Sequence, residues 1–288
     1  MALYLDPKND LTFKRIFGEH PELLISFLNA IMPFEPGRQI ETVEYLPAEQ
    51  VPDNPGKKNS IVDVKCKDNH KRQFIIEMQM DWDAVFTNRL IFNAGKAYVR
   101  QLKRREAYHL LHPVYTLAIL NENFDHKTTQ FYHHYQIVNR ENTDEIIPWL
   151  EFVLVELEKF CPETVTDRKL AVLWLRFLKE VDESMTALPA ELQENEHIRQ
   201  AAELCEESAF TPEELAAYEN YWDIIRTEIA VRESALTKGR AEGRTEGRTE
   251  EKIETVVNSD KAGVPLETIS TITGLTVEEI KKILERKN

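Results

Sequence analysis

Residues 60–80, SIVDVKCKDNHKRQFIIEMQM, narrow the folds open to this chain more than any other stretch. Two alternating runs, Ile61–Cys66 and Phe74–Met80, flank a charged turn at Asp68–Arg72, the pattern of a β-hairpin. With the turn centred near His70, Asp63 stands opposite Glu77. Strand side chains alternate between faces. One face then carries Val62, Val64, Cys66, Phe74, Ile76, Met78 and Met80, and is expected to be the core face. The other carries Asp63, Lys65, Ile75, Glu77 and Gln79. Residues directly opposite on antiparallel strands lie roughly 4.5–5.5 Å apart, and like charges there are destabilising. A hard divalent cation held by oxygen ligands would offset the repulsion. The plain alternative is a solvated hairpin face on which two acids happen to align.

A resemblance bears on that choice. Asp63, thirteen intervening residues, then Glu77-Met78-Gln79 is similar to the motif of the PD-(D/E)XK nuclease superfamily. Together with the opening Asp10-Leu-Thr-Phe-Lys-Arg-Ile-Phe17, it resembles the Rpn family of recombination-promoting nucleases and transposases. The resemblance covers residues 1–160 well and extends more loosely to the C-terminus, where Gly-Arg-x-Glu repeats are a familiar feature of that family. It implies an α/β fold with a mixed sheet flanked by helices, and a metal-dependent DNA endonuclease linked to recombination or transposition. It implies Mg²⁺ as cofactor, ligated by Asp63 and Glu77 and joined by the Met78 carbonyl. Gln79 stands where that superfamily has a lysine. An amide neither takes a proton nor supplies charge, so Gln79 is left with orienting the attacking water. Lys65, on the strand face of Asp63, is the first candidate for the missing cation, and Lys96 the second. Asp10 either joins the site from the first helix or simply caps that helix. The missing lysine also supports a rival reading: a non-catalytic protein that keeps the nuclease fold and binds DNA or a protein partner.

The net charge of −14 argues against a polyanionic substrate until its distribution is considered. Residues 1–140 carry 18 basic and 17 acidic side chains, residues 141–236 carry 8 and 23, and residues 237–288 carry 10 and 10. The excess acid is confined to the middle-to-late stretch. Lys57–Arg72 holds six basic residues against two acidic, and Arg89–Arg105 holds six with no acid at all. Nearby charge steers a polyanion more than distant, screened charge does. Arg89, Lys96 and Arg100 on a helix spanning Trp82–Arg105 are therefore the candidate DNA contacts.

Hydrophobic content of 42% and charged content of 30% describe an ordinary globular chain. No run of eighteen apolar residues marks a membrane span, and MALYLDPKND lacks the pattern of a signal peptide. The three cysteines, Cys66, Cys161 and Cys205, have no C-x-x-C spacing and read as buried thiols of a reducing, cytoplasmic compartment. Four regions are expected: a nuclease core over 1–160, an acidic helical region over 161–237, a Gly-Arg-x-Glu repeat over 238–262 and a small helical hairpin over 263–288. The repeat GRAEGRTEGRTE places like charges four apart and includes glycines costing about 1 kcal/mol each in a helix. It reads as a labile helix or a flexible linker. Two short helices around Gly274 resemble half of a helix-turn-helix, but Glu278 and Glu279 suit groove reading poorly. Docking of a partner or homo-oligomerisation fits that hairpin better.

Overall fold

The computed structural model describes residues 4–50, 60–83, 85–162 and 169–287. Lys57 and Lys58 of the first basic stretch, most of the loop after Pro47 and the expected helix start at Asp167 lie outside the described residues. Two compact units are present, residues 1–225 and residues 226–288.

The first unit opens with α1 (Asp10–Glu19) and α2 (Pro21–Ile31), divided at His20 because Pro21 starts a new helix. A six-stranded mixed sheet follows, in the order β1 (Val43–Tyr45), β4 (Val64–Asp68), β5 (Gln73–Gln79), β6 (Val114–Leu120), β8 (Ile146–Glu156), β7 (Tyr132–Val138). A short ribbon of β2 (Glu49–Gln50) and β3 (Ser60–Ile61) stands apart from it. The pairs β1–β4, β4–β5 and β7–β8 are antiparallel, whereas β5–β6 and β6–β8 are parallel. A parallel step needs a long crossover, and α3 (Phe86–Val99) lies within the one between β5 and β6. The expected α/β fold, a mixed sheet flanked by helices, is present.

Both faces of the sheet are covered. On one, α1, α2, α4 (Lys169–Glu180) and α6 (Glu196–Glu203) bury an aromatic core. Phe17 stacks on Phe27 at 4.6 Å, Trp174 meets both rings at 5.5 Å, and the Trp174 indole donates to Ser26 Oγ at 3.2 Å. Residues 169–225, within the expected acidic helical region, belong to the same compact unit as the sheet. On the other face, Ala94 and Ala97 of α3 pack on Val62 and Ile75, while Phe86 and Leu90 pack on Ala118 and Leu120. Val62 therefore departs from the expected core face and packs under α3. β6 is buried along nearly its whole length, as a central strand covered on both sides must be. Cys66 and Cys205 are buried, but Cys161 is exposed, against the expectation of three buried thiols.

After the short helix α5 (Ala190–Gln193) precedes α6, the chain enters α7 (Pro212–Lys261), a helix of 50 residues. Thr211 and Glu214 form its capping box: the Thr211 backbone donates to Glu214 Oε2 at 2.7 Å, and the Glu214 backbone to Thr211 Oγ1 at 3.2 Å. The Gly-Arg-x-Glu repeat is helical throughout. In the second unit Val256 of α7 joins Ile269 of α8 (Leu266–Thr273) and Ile280 of α9 (Val277–Lys287) in a small core. Gly274 ends α8 at φ 68°, the left-handed conformation a glycine adopts without penalty. Among the described residues no helix is long and apolar enough to cross a membrane.

Candidate active site

The site grows out of the β4–β5 register. Val64 pairs with Ile76, Lys65 with Ile75 and Cys66 with Phe74. The same register continued by one residue sets Asp63 opposite Glu77, as the sequence pattern requires. The turn that holds it is built on Asp68, whose carboxylate accepts from the backbones of His70 and Arg72 and from the Arg72 guanidinium at 2.6–2.9 Å. Lys71 takes the left-handed conformation at φ 64°. Arg72 is itself buried, over the Phe34 ring at 4.4 Å.

Asp63 sits just before β4, and its Oδ2 accepts from the Met78 backbone at 2.7 Å. Glu77, in the middle of β5, is only 5% exposed because α3 covers this face of the sheet. A solvated hairpin face would leave it open. Asn93, fully buried on α3, donates from Nδ2 to Glu77 Oε1 at 3.2 Å. Burial pushes the pKa of both carboxyls up, and their mutual repulsion adds to the rise at Glu77. Asp10 raises Asp63 further, while the positive charges of Arg89 and Lys14 oppose the rise at both. The remaining polar atom of Asn93, Oδ1, is buried with no hydrogen-bond partner among the described residues.

Other candidates gather here from three directions. Gln79 donates to the Asp81 carbonyl at 2.6 Å, and its side-chain oxygen accepts from Arg89 Nη2. Arg89 lies over the Phe86 ring at 4.8 Å and is open to solvent. Asp10 does not cap α1; Asn9 does, accepting from the Leu11 backbone. Asp10 instead pairs with Lys14 at 2.6 Å, one turn along. Gly18, a further turn on, lies against β4: a methyl added there would stand 3.8 Å from Val64 Cγ2. The stripe Asp10–Lys14–Gly18 thus runs beside the residue that follows Asp63.

Lys65 and Lys96 have other surroundings among the described residues. Lys65 is buried opposite Ile75, and burial, then the charges of Arg100 and Lys96, push its ammonium pKa down. The Lys96 ammonium donates to the Gln50 carbonyl and to Ser60 Oγ, tying α3 to the β2–β3 ribbon. Two residues escaped the sequence reading. Asn93 falls four residues after Arg89 on the helix face turned to the sheet. Lys14 falls four after Asp10. Each spacing is visible in the sequence, but neither says which helix packs against the hairpin.

Among the described residues no three His, Cys, Asp or Glu side chains are grouped to hold a metal ion. The donor set is the buried Glu77 carboxylate, the half-buried Asp63 carboxylate, the unpartnered Asn93 amide oxygen and backbone carbonyls. Such all-oxygen donors, fewer than a full cage, fit Mg²⁺, which is usually bound through one or two carboxylates plus substrate oxygens and water.

Comparison with curated proteins and with solved structures finds no match. A family profile, PD-(D/E)XK nuclease family transposase, matches residues 7–234. That span runs from just before α1 into α7 and includes every residue of the carboxylate site, so the chain belongs to the PD-(D/E)XK nuclease family transposases.

Proposed function

We propose that this chain is a metal-dependent DNA endonuclease that hydrolyses phosphodiester bonds in recombination or transposition, as the resemblance to the Rpn nucleases implies. The observation that carries the reading is the Asp63–Glu77 pair: Glu77 buried, Asp63 half-buried and acting on it electrostatically, both with pKa values raised, in a chain of a nuclease family. Asp63 and Glu77 would hold Mg²⁺, with the Met78 carbonyl as a further ligand. When bound, the ion supplies positive charge to the phosphate and acidifies the attacking water. The chain's own residues do the rest. Asn93 fixes the Glu77 carboxylate. Gln79, held by Asp81 and Arg89, presents its amide to the water. Arg89, exposed at the rim, takes a phosphate oxygen, and Arg100 further along α3 extends the contact to the DNA backbone, where Lys96 would join once released from Gln50 and Ser60. In the reaction the water oxygen joins phosphorus and one ester P–O bond breaks. The water gives up a proton and the leaving oxygen gains one.

The test is cleavage of supercoiled plasmid with and without Mg²⁺. Nicking that needs the ion and vanishes in Asp63→Ala supports the reading, and an inert wild-type chain sinks it. The second reading, a non-catalytic DNA- or partner-binding protein, rests on Gln79, an amide at the position of the superfamily's lysine. It predicts DNA binding through Arg89, Lys96 and Arg100 with no cleavage under any divalent ion.

A further inference from the structure

We propose that Lys14, on the first helix, supplies the catalytic cation that Gln79 cannot, by contacting the scissile phosphate beside Asp63 and Glu77. The inference rests on the endonuclease reading and deepens it.

Three observations converge. First, β5 carries no lysine at the site: position 79 is an amide, and its oxygen is occupied by Arg89. Second, Lys65 is buried at 9% exposure, with Arg100 and Lys96 as its charged neighbours. Third, α1 brings Lys14 in from the opposite side of the sheet to α3. A methyl at Gly18, on the same helical stripe, would stand 3.8 Å from Val64 Cγ2, and Tyr45 Oη ties the Phe17 carbonyl to β1 at 2.9 Å, which holds the helix against β1 and β4. Lys14 acts on both carboxylates electrostatically, as does Arg89.

The Lys14 side chain is 40% exposed, so its ammonium is open to a substrate. Its ion pair with Asp10 is half exposed as well, and exposed pairs hold a side chain weakly. Asp10 parks the ammonium at the rim without enclosing it. Arg89, bonded to Gln79 and lying over Phe86, serves the phosphate contact from the α3 side and leaves the α1 side to Lys14. A point charge on a flexible stem can follow a phosphate as its negative charge grows. Charge aimed where the transition state develops it stabilises that state more than the bound substrate.

The experiment uses the full chain and compares Lys14→Ala and Lys14→Gln with wild type in three measurements. These are single-turnover DNA cleavage in Mg²⁺, DNA affinity in Ca²⁺, and Mn²⁺ binding by calorimetry without DNA. Two variants guard against one that fails to fold. The cleavage rate should fall about 10²–10³-fold, with DNA affinity changed no more than about threefold and Mn²⁺ binding retained. Removing one counterion contact should reduce the salt slope by no more than about 0.9. Gln79→Lys in the Lys14→Ala background, which returns a lysine from β5, should recover at least tenfold of the lost rate. A purely structural Lys14 would show no such rescue. Wild-type cleavage in both variants overturns the assignment while leaving the endonuclease reading intact. So does a rate loss matched by equal loss of Mn²⁺ or DNA binding. A wild-type chain inert in every divalent ion overturns both.

Discussion

The β4–β5 hairpin and the repeat within α7 both set like charges side by side, and the molecule treats them differently. In the repeat, Glu242, Glu246 and Glu250 recur four apart on a helix exposed on all sides, as do Arg240, Arg244 and Arg248. Water and salt screen such pairs, and each costs only a few tenths of a kcal/mol. The helix forms in spite of them, helped at one edge by Lys238 and Glu242 at 3.9 Å. In the hairpin, Glu77 is buried beneath α3 and Asp63 is half-buried; burial raises both pKa values, and at Glu77 the poorly screened charge of Asp63 adds to the rise. Proximity of like charges in a sequence is therefore weak evidence for a site. Proximity combined with burial is strong evidence, and only packing supplies the burial.

The largest expected effect contrasts the two regions directly. Asp63→Ala should reduce plasmid cleavage to background while the thermal unfolding transition persists. Deleting residues 238–288, which removes the repeat and the terminal helices, should leave the single-turnover rate within about twofold, because every candidate ligand lies before it. A folded but inert truncation would make the tail part of the active assembly, through homo-oligomerisation.

Next comes stability. Trp174→Ala empties the aromatic core over the sheet and should cost about 3–5 kcal/mol in urea unfolding. Leu236→Ala, on an exposed stretch of α7, should change stability by about 0.5 kcal/mol or less. Similar losses at both positions would mean that α7 is covered in solution, which would erase the contrast.

The carboxylate pair carries its own pH signature. A carboxyl whose folded pKa is raised above the unfolded value keeps its proton longer in the folded state. Stability is then greatest below the ordinary carboxylate range and is lost as pH rises through the folded pKa. Metal-free wild type should accordingly weaken relative to Glu77→Gln as pH climbs past that range toward and beyond neutrality. The gap grows by about 1.4 kcal/mol per unit of raised pKa. Thermal melts across pH check this, and added Mg²⁺ should narrow the gap by favouring the ionised pair. A constant gap at all pH values would mean that Glu77 is not held protonated.

The smallest effect belongs to the repeat. A methyl at Gly243 would meet nothing within 4 Å, so Gly243→Ala should raise helix stability by about 1 kcal/mol, read by circular dichroism during melting. A loss of helicity would show that the glycine stripe is packed against something.

Local period and local chemistry determined a good deal of this protein. The hairpin register follows from a turn and a two-residue alternation, so Asp63 opposite Glu77 was legible without any tertiary contact. The capping boxes at Thr211 and Thr276, the break at Pro21 and the left-handed stop at Gly274 were legible for the same reason: the groups involved lie within a few residues of one another. The long helix of the repeat was underdetermined, because glycine cost and Arg, Glu and Ala propensity nearly balance. Tertiary structure alone decided which helix covers which face. It sealed the acidic face under α3 and brought Asn93 to Glu77. It drew α4 into the main core through Trp174, buried Lys65 opposite Ile75 and let the charge of Lys14 on α1 act on both carboxylates. Periodicity says which face of an element is apolar. It does not say which distant element will bury that face, and the charge of a buried site depends on that choice.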